Sequence, residues 1–318
     1  MRQLVAVLVA VFAASAFGQA FPTRPVTMIV PYAAGGSADV VARPVAAEMG
    51  KILGENVVVE LRPGAGGNIG AEYVARSARA DGYTILLASL SLATNVSLMK
   101  LSFDPRRDLA AIGGITTFPN VLLVSSQDPA RSLQDIVSRA RTDPGKLTYG
   151  SSGPGTSSHL AGELLSVAAG IQLVHVPYKG SGAVYPDLIA RRVTMLFDLA
   201  GSASGHIKGG QVKPLAMTGK RRANALPDVP TFAESGFPGF EFGAWLGLFA
   251  PNGTPKEIVG RLEEAMLRSI ETPELKNRLS QLGGEPIPAR AAEFWKFFND
   301  DVERYARLVR EGKVKPIQ

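Results

Sequence analysis

The feature that most restricts what this chain can become is a regular alternation between short, almost continuous apolar runs and helical patterns. Strand-like runs read at 26–31, 57–61, 84–88, 121–124, 147–150, 173–177, 194–198 and 212–218. Helical patterns separate most of them. Strands that are apolar along their whole length suit a parallel sheet covered on both faces. Alternating β and α patterns mean an α/β fold. At 318 residues, with 46% apolar residues, the chain is long enough for two domains of ordinary size. It holds no low-complexity linker, so short crossing strands are expected between the domains, with 115–121 and 242–249 as candidates. That arrangement carries the C-terminal helices back onto the first domain.

Two strand-to-helix turns stand out within this pattern. The first lies in the stretch 30–43, where a β-rich run feeds Tyr32-Ala33-Ala34-Gly35-Gly36 and a helical pattern opens at Ser37. Such a turn brings backbone N–H groups and the positive end of a helix dipole to one point, which favours an anion. The second is Ser151-Ser152-Gly153-Pro154-Gly155-Thr156-Ser157-Ser158-His159, ahead of a helix expected over 157–169. It supplies many donors and no fixed charge. The two turns are expected to close around a small carboxylate. Ser89 and Ser91, at the carboxyl end of the third strand, face the crevice in an open α/β sheet and are further candidate contacts.

Asp39 sits in the first turn of the first helix. It either serves the helix dipole or orients the loop or a water that holds the ligand, since a bare carboxylate would repel an anion. His159 either hydrogen-bonds the ligand or braces the Ser-rich loop; His175, within a strand, reads as structural. Pro44 falls inside the first helix and should bend it without ending it, because Ala46, Ala47 and Met49 continue the pattern. A capping box is expected from Thr254 to Glu257, another at Ser132–Asp135, and a last helix over 291–310 that buries Phe294, Phe297, Phe298, Val302, Tyr305 and Leu308.

Catalytic readings fail one after another. With no Cys, disulfides, thiolate catalysis and zinc–thiolate sites are excluded. The three histidines form no metal-type pair. A nucleophile elbow would need glycine where Pro154 stands, and the other candidate has Ala203 at the nucleophile position. The glycine-rich turn at 62–70 has Ile69 where a dinucleotide fingerprint needs its third glycine, and reads as a tight turn with close helix packing. Gly219-Lys220 lacks the spacing of a phosphate loop. The net charge of +6 comes from scattered residues without aromatic–basic motifs, which argues for solubility and attraction of anions rather than nucleic acid. No cofactor is expected, and no enzyme.

Arg2, the apolar run 4–14 and the small residues around Ala16 and Ala20 make an export leader of residues 1–20, cut after Ala20 or, as second choice, Ala16. A periplasmic location follows from that expectation.

Several segments then coincide with one family. They are Pro22-Thr23-Arg24-Pro25-Val26, Val30-Pro31-Tyr32-Ala33-Ala34-Gly35-Gly36-Ser37-Ala38-Asp39, Arg62-Pro63-Gly64-Ala65-Gly66-Gly67-Asn68-Ile69-Gly70, Asp81-Gly82-Tyr83-Thr84, Pro144-Gly145-Lys146-Leu147, His175-Val176-Pro177-Tyr178-Lys179-Gly180 and Leu226-Pro227-Asp228-Val229-Pro230-Thr231. Together they span nearly the whole chain beyond the leader, and it resembles the periplasmic substrate-binding proteins of tripartite tricarboxylate transporters, the Bug family. The resemblance implies a two-domain periplasmic binding protein of type II-like α/β fold. Each domain is then a mostly parallel sheet flanked by helices, with the ligand cleft between the domains. It implies domain 1 from 21–120 and 245–318, and domain 2 from 121–244. It assigns Tyr32, Ala33, Ala34, Gly35, Gly36 and Asp39 to one jaw and Gly153, Gly155, Thr156, Ser157, Ser158 and His159 to the other. Ser152 belongs to the same Ser-rich turn, and Asp198 matches a position facing the distal part of the ligand. The implied function is capture of a small organic carboxylate by hinge closure, by a monomer, with delivery to the membrane components of the transporter. Feeding a signalling receptor is an alternative, and an α/β hydrolase a weaker one. Leu61 stands where the family commonly has Asn, and Arg191-Arg192 where it commonly has Gly-Gly.

Overall fold

A computed structural model describes residues 21–35, 37–285, 287, 289–312 and 314–316. The expected leader and Gly36 lie outside the described residues.

Each expected strand forms, and all but the fourth have their ends shifted by only a residue or so. The strands are β1 (Val26–Val30), β2 (Val57–Leu61), β3 (Thr84–Ser89), β4 (Leu109–Ser125), β5 (Thr148–Ser151), β6 (Val174–Pro177), β7 (Met195–Leu199), β8 (Val212–Met217) and β9 (Gly243–Pro251). They join in one sheet in the order β2-β1-β3-β9-β4-β7-β5-β6, with β8 also paired to β4. β1 lies parallel to β2 and β3, and β5 lies parallel to β6 and β7. The long strands β4 and β9 run antiparallel to their neighbours and to each other. The candidate crossing segments 115–121 and 242–249 fall in these two strands. β4 is far longer than its apolar run 121–124 suggested, because Gly113 and Gly114 interrupt the pattern where the register with β9 shifts.

Helices cover both faces. In β1, Val26, Met28, Ile29 and Val30 are all fully buried, which a one-sided sheet would not allow. Helix α1 (Ser37–Leu53) packs on one side with α9 (Lys256–Glu271) and α10 (Pro273–Gln281). On the other side lie the short α2 (Asn68–Glu72) with its π-turn 73–77, α3 (Ser91–Leu98) and α11 (Ala291–Arg310). The C-terminal helices thus return to the β1–β3 half. In the other half α5 (Leu133–Thr142) and α6 (Ser157–Ala169) share the larger core, while α7 (Tyr185–Ile189) and α8 (Ala200–Lys208) close a smaller one against β4, β7 and β8. The four-residue α4 (Pro105–Asp108) leads into β4. None of the described helices is long and apolar enough to cross a membrane.

Local signals mostly act as read. Ser132 and Asp135 form the expected capping box on α5. The second expected box does not form: the Thr254 hydroxyl donates to the Pro251 carbonyl (2.8 Å), and α9 starts with no side-chain cap. In α11, Phe294, Phe298, Val302 and Tyr305 are buried, but Phe297 and Leu308 are only partly so. Trp245 of β9 meets Phe294 edge-on at 5.3 Å and donates its indole N–H to Asp301 (2.8 Å), which ties the last helix to the sheet. Helix α1 continues unbroken through Pro44. Pro44 and Val40, whose carbonyl loses its helical partner, are both only half-buried, so water can satisfy the freed group.

Candidate functional site

The carboxyl ends of the two parallel strand sets point their loops at one cavity of about 650 Å³. Pro31–Ala33 follow β1, Pro63–Gly67 follow β2, and Ser89 and Leu90 end β3. From the other half come Ser152–Pro154 and Thr156–Ser158 after β5, Tyr178–Ser181 after β6, and Asp198 and Leu199 at the end of β7. Phe118 and Asn120 of β4 with Ala244 and Leu246 of β9 complete the wall. This is where an open α/β sheet is expected to hold a ligand. A larger groove of about 780 Å³ lies between α5, α6 and residues 236–241. No strand end and none of the candidate residues contributes to it, so it is not the site the fold builds.

The first turn is held from behind. Asp39, buried, accepts the Gly35 N–H on Oδ2 (2.9 Å), and its Oδ1 lies 2.8 Å from the Arg43 guanidinium one helical turn on. Asp39 therefore fixes the loop while Arg43 offsets its charge, and the Gly35 N–H is already used. Tyr32 lines the cavity with its hydroxyl shared between Ser89 Oγ (2.5 Å) and Ser91 Oγ (2.7 Å). Burial pushes the Tyr32 phenol up, so it stays a neutral donor. Gly67 passes directly against this ring: a Cβ there would stand 3.0 Å from the Tyr32 oxygen, at a φ of +99°.

The second turn is a web of hydroxyls. The Ser152 N–H donates to Ser158 Oγ (2.8 Å), whose oxygen also lies 2.8 Å from Ser152 Oγ and 3.0 Å from Thr156 Oγ1. The Thr156 hydroxyl donates to the Gly153 carbonyl (2.6 Å) instead of capping α6, which has no side-chain cap. First-turn N–H groups of a helix so left lack intrahelical partners and suit an anion. His159 is a brace: its Nδ1 accepts the Gly155 N–H (3.2 Å), and its ring stacks on His175 at 4.2 Å. His175 in turn sits 2.6 Å from Ser151 Oγ. Burial lowers both imidazoles to about 4, so both are neutral at pH 7.

Helix α3 bridges to the Ser-rich turn. The Thr94 hydroxyl of α3 donates to the Gly155 carbonyl (2.8 Å), and Asn95 packs so closely on Gly155 that a Cβ there would stand 2.1 Å from its Oδ1. Asn95 also donates to Asn68 Oδ1 (2.9 Å), beside the 63–67 turn.

Of the candidate residues, the cavity gathers Tyr32, Ala33, Ser89, Ser152, Gly153, Thr156, Ser157, Ser158 and Asp198. Ala34, Gly35, Asp39, Ser91, Gly155 and His159 do not line it; they shape or support the turns that do. Reading the turns as contiguous ligand surfaces overlooked that half of each turn must hold the other half in place. The sequence reading also passed over Pro63–Gly67, Asn120 and Tyr178–Ser181. The turn at 62–70 was tested only against a dinucleotide spacing, yet the strand-end rule that found Ser89 applies equally to it and to the segment after β6.

The wall is short of charge. Among its described residues, Lys179 carries the one positive charge and Asp198 the one negative. Asp198 is buried and accepts the Tyr185 hydroxyl on Oδ2 (2.8 Å), and burial pushes its carboxyl up to about 6. None of the described His, Cys, Asp and Glu residues cluster as metal ligands. The arrangement can hold a small anion by neutral donors; the Ser151–His175 pair lies behind the wall and does not line the cavity.

Comparison with known proteins agrees with this geometry. The model of the tripartite tricarboxylate transporter family receptor matches residues 41–314. A Pseudomonas sp. (strain P51) protein, named only as a UPF0065 protein in the tcbD-tcbE intergenic region, is 38% identical over 301 residues, covering 94% of this chain and 89% of its own. The solved periplasmic binding protein BugD superposes with a TM-score of 0.86 at 36% identity, covering 93% of this chain and 100% of its own. An R. palustris protein solved with adipate superposes with a TM-score of 0.87 at 32% identity, again over 93% and 100%. With the family model spanning nearly all the described residues, and a cavity at the strand ends of a two-halved α/β sheet, this chain belongs to the tripartite tricarboxylate transporter receptors, a family of periplasmic solute-binding proteins.

Proposed function

We propose that this protein captures a small organic carboxylate in the periplasm and delivers it to the membrane components of a tripartite tricarboxylate-type transporter. The observation that carries the reading is the pairing of two donor-rich strand-to-helix turns across one cavity with a single cation in its wall. Hydroxyls and backbone N–H groups can replace the water around a carboxylate, each charge-assisted bond contributing ~1.5–3 kcal/mol. Adipate in an R. palustris neighbour supports the ligand class.

Capture works by hinge closure. Residues 21–120 with 245–318 form one domain and 121–244 the other, and β4 and β9 pass between them. Opening must break the Thr94–Gly155 contact, which ties helix α3 of one domain to the Ser-rich turn of the other.

Thermal melts against a panel of mono- and dicarboxylates test the ligand class. At least one acid should raise the melting temperature, and more as its concentration rises. A panel without any shift contradicts the reading. Delivery is tested by uptake of the same labelled acid in cells carrying the membrane components. Uptake should require both this protein and those components.

A further inference from the structure

The groove of about 780 Å³ between α5, α6 and residues 236–241 shares no residue with the ligand cavity. Its apolar side is held in shape. The Phe240 N–H donates to the Phe237 carbonyl (3.1 Å), which folds this segment into a tight turn. Phe240 stacks on the buried Phe232 at 4.5 Å, and Phe237 lies 6.2 Å from the same ring. Gln134 of α5 donates to the Ser235 carbonyl and ties the segment to the helix. From α6 come Leu164, half-buried, and Val167. Val167 is 43% exposed, one of four large apolar side chains left open among the described residues.

The charge of the groove is uneven. Arg141 of α5 and Arg304 of α11 border it, against Glu241 alone. Arg141 donates to the Ala169 carbonyl (3.0 Å) and Arg304 to the Glu241 carbonyl (3.3 Å). Neither forms an ion pair with a described carboxylate. A guanidinium carries several N–H donors in a fork that matches a carboxylate, so each arginine keeps donors to spare. Apolar surface bordered by two such cations complements an apolar segment with acidic side chains. A second copy of the groove would repeat the positive charge and does not complement it.

The groove also lies on the seam between the two halves. Helices α5 and α6 and residues 236–241 belong to the half that carries the Ser-rich turn, whereas Arg304 sits on α11, which packs against α3. Helix α6 starts at the Ser-rich turn, and α3 holds the Gly155 carbonyl of that turn through Thr94. A movement of the turn relative to α3 therefore moves α6 relative to α11 and reshapes the groove.

Resting on the capture-and-delivery reading above, we propose that this groove is the docking surface for an acidic, apolar segment of a membrane component of the transporter, and that it fits that segment best when the cavity has closed on its ligand. Apolar side chains of the segment meet Phe237, Phe240 and Val167, and its carboxylates meet Arg141 and Arg304. Docking can separate loaded from empty protein only if the surface differs between the two states, and a groove on the seam does.

Binding of the intact protein to the purified membrane components in nanodiscs of zwitterionic lipid tests this, with and without a saturating amount of the acid that raises the melting temperature most. Loaded protein should bind at least tenfold tighter than empty protein. Val167→Asp and Arg141→Glu should each weaken docking at least tenfold and lower uptake in step, while calorimetric affinity for the acid stays within about twofold. Val167→Gln and Arg141→Gln, which disturb the helices less, should weaken docking severalfold. Variants that keep both docking and uptake overturn the inference and leave capture and delivery intact. Docking that depends on these residues but not on the acid overturns its link to closure. Equal, Arg141-dependent capture by anionic-lipid nanodiscs without the components assigns the groove to a membrane surface and overturns the segment. An unaltered protein that binds the acid but neither docks nor supports uptake removes the delivery reading, and this inference with it.

Discussion

At the scale of the residue, Asp39 shows how a candidate ligand contact becomes a support. Its two oxygens are taken by Gly35 N–H and by Arg43, so its effect on a ligand passes through the loop. Asp39→Ala leaves a loop N–H without its acceptor and an arginine without its partner. Affinity for the bound acid should fall about tenfold, with a stability loss of about 1–2 kcal/mol. Asp39→Asn keeps the acceptor for Gly35 and should retain most of the affinity; calorimetry on both variants separates loop orientation from charge. Arg191 is a second residue whose role is settled by its backbone. It adopts φ +60° on the surface, a left-handed conformation that costs a side chain about 1–2 kcal/mol. Glycine, which the family resemblance led one to expect there, removes that strain. Arg191→Gly should shift the urea midpoint upward by an amount equivalent to about 1 kcal/mol, and a downward shift would mean the side chain makes contacts that outweigh the strain.

At the scale of the element, the coupling of β6 to the start of α6 makes the Ser-rich turn sensitive to acid. His159 of α6 and His175 of β6 stack on each other, and burial depresses both to about 4 against an ordinary 6.5. Between those values the unfolded chain binds protons that the folded chain refuses, so stability is complete above about pH 6.5 and is lost as the pH falls toward 4. Asp198 acts in the opposite sense. Its carboxyl is raised to about 6 from 3.8, so the stability tied to its proton is lost as the pH rises through that range. Two groups outweigh one, and the melting temperature should fall on acidification from pH 6.5 to 4. In Asp198→Asn the fall should be steeper and the melting temperature above pH 6 higher; a flat profile from pH 7 to 4 would contradict the assignment of the two rings as buried and neutral. Elements were also the level at which the sequence was most readable. Continuous apolar runs located the strands because both sheet faces are covered, and α5, α6 and α11 start and stop where their patterns say, α5 with a capping box. β4 was underread because Gly113 and Gly114 break the apolar run at a register shift, and Thr254 bonded back to its own loop instead of capping α9.

At the scale of the whole molecule, the site is a product of topology. Loops from β1, β2 and β3 meet loops from β5, β6 and β7 only because β4 and β9 place the two parallel sets end to end in one sheet. The two main turns were legible since each carries its own local signal, glycines after an apolar run or serines before a helix. Asn120 carries no such signal; it reaches the cavity through pairing across the sheet, which a one-dimensional pattern does not encode. The division of labour within residues 155–159, where Gly155 and His159 support the wall that Ser157 and Ser158 form, is set by their distant partners Asn95 and His175. The account's central claim is that neutral donors from both halves hold a carboxylate, and it is met most directly by calorimetric titration of the best-binding acid beside its uncharged primary amide, on the same ligand-free protein. The acid should bind at least a hundredfold tighter than the amide, because only the charged group gains charge-assisted bonds at both turns. Comparable affinity for the amide, or binding of neither, would contradict it.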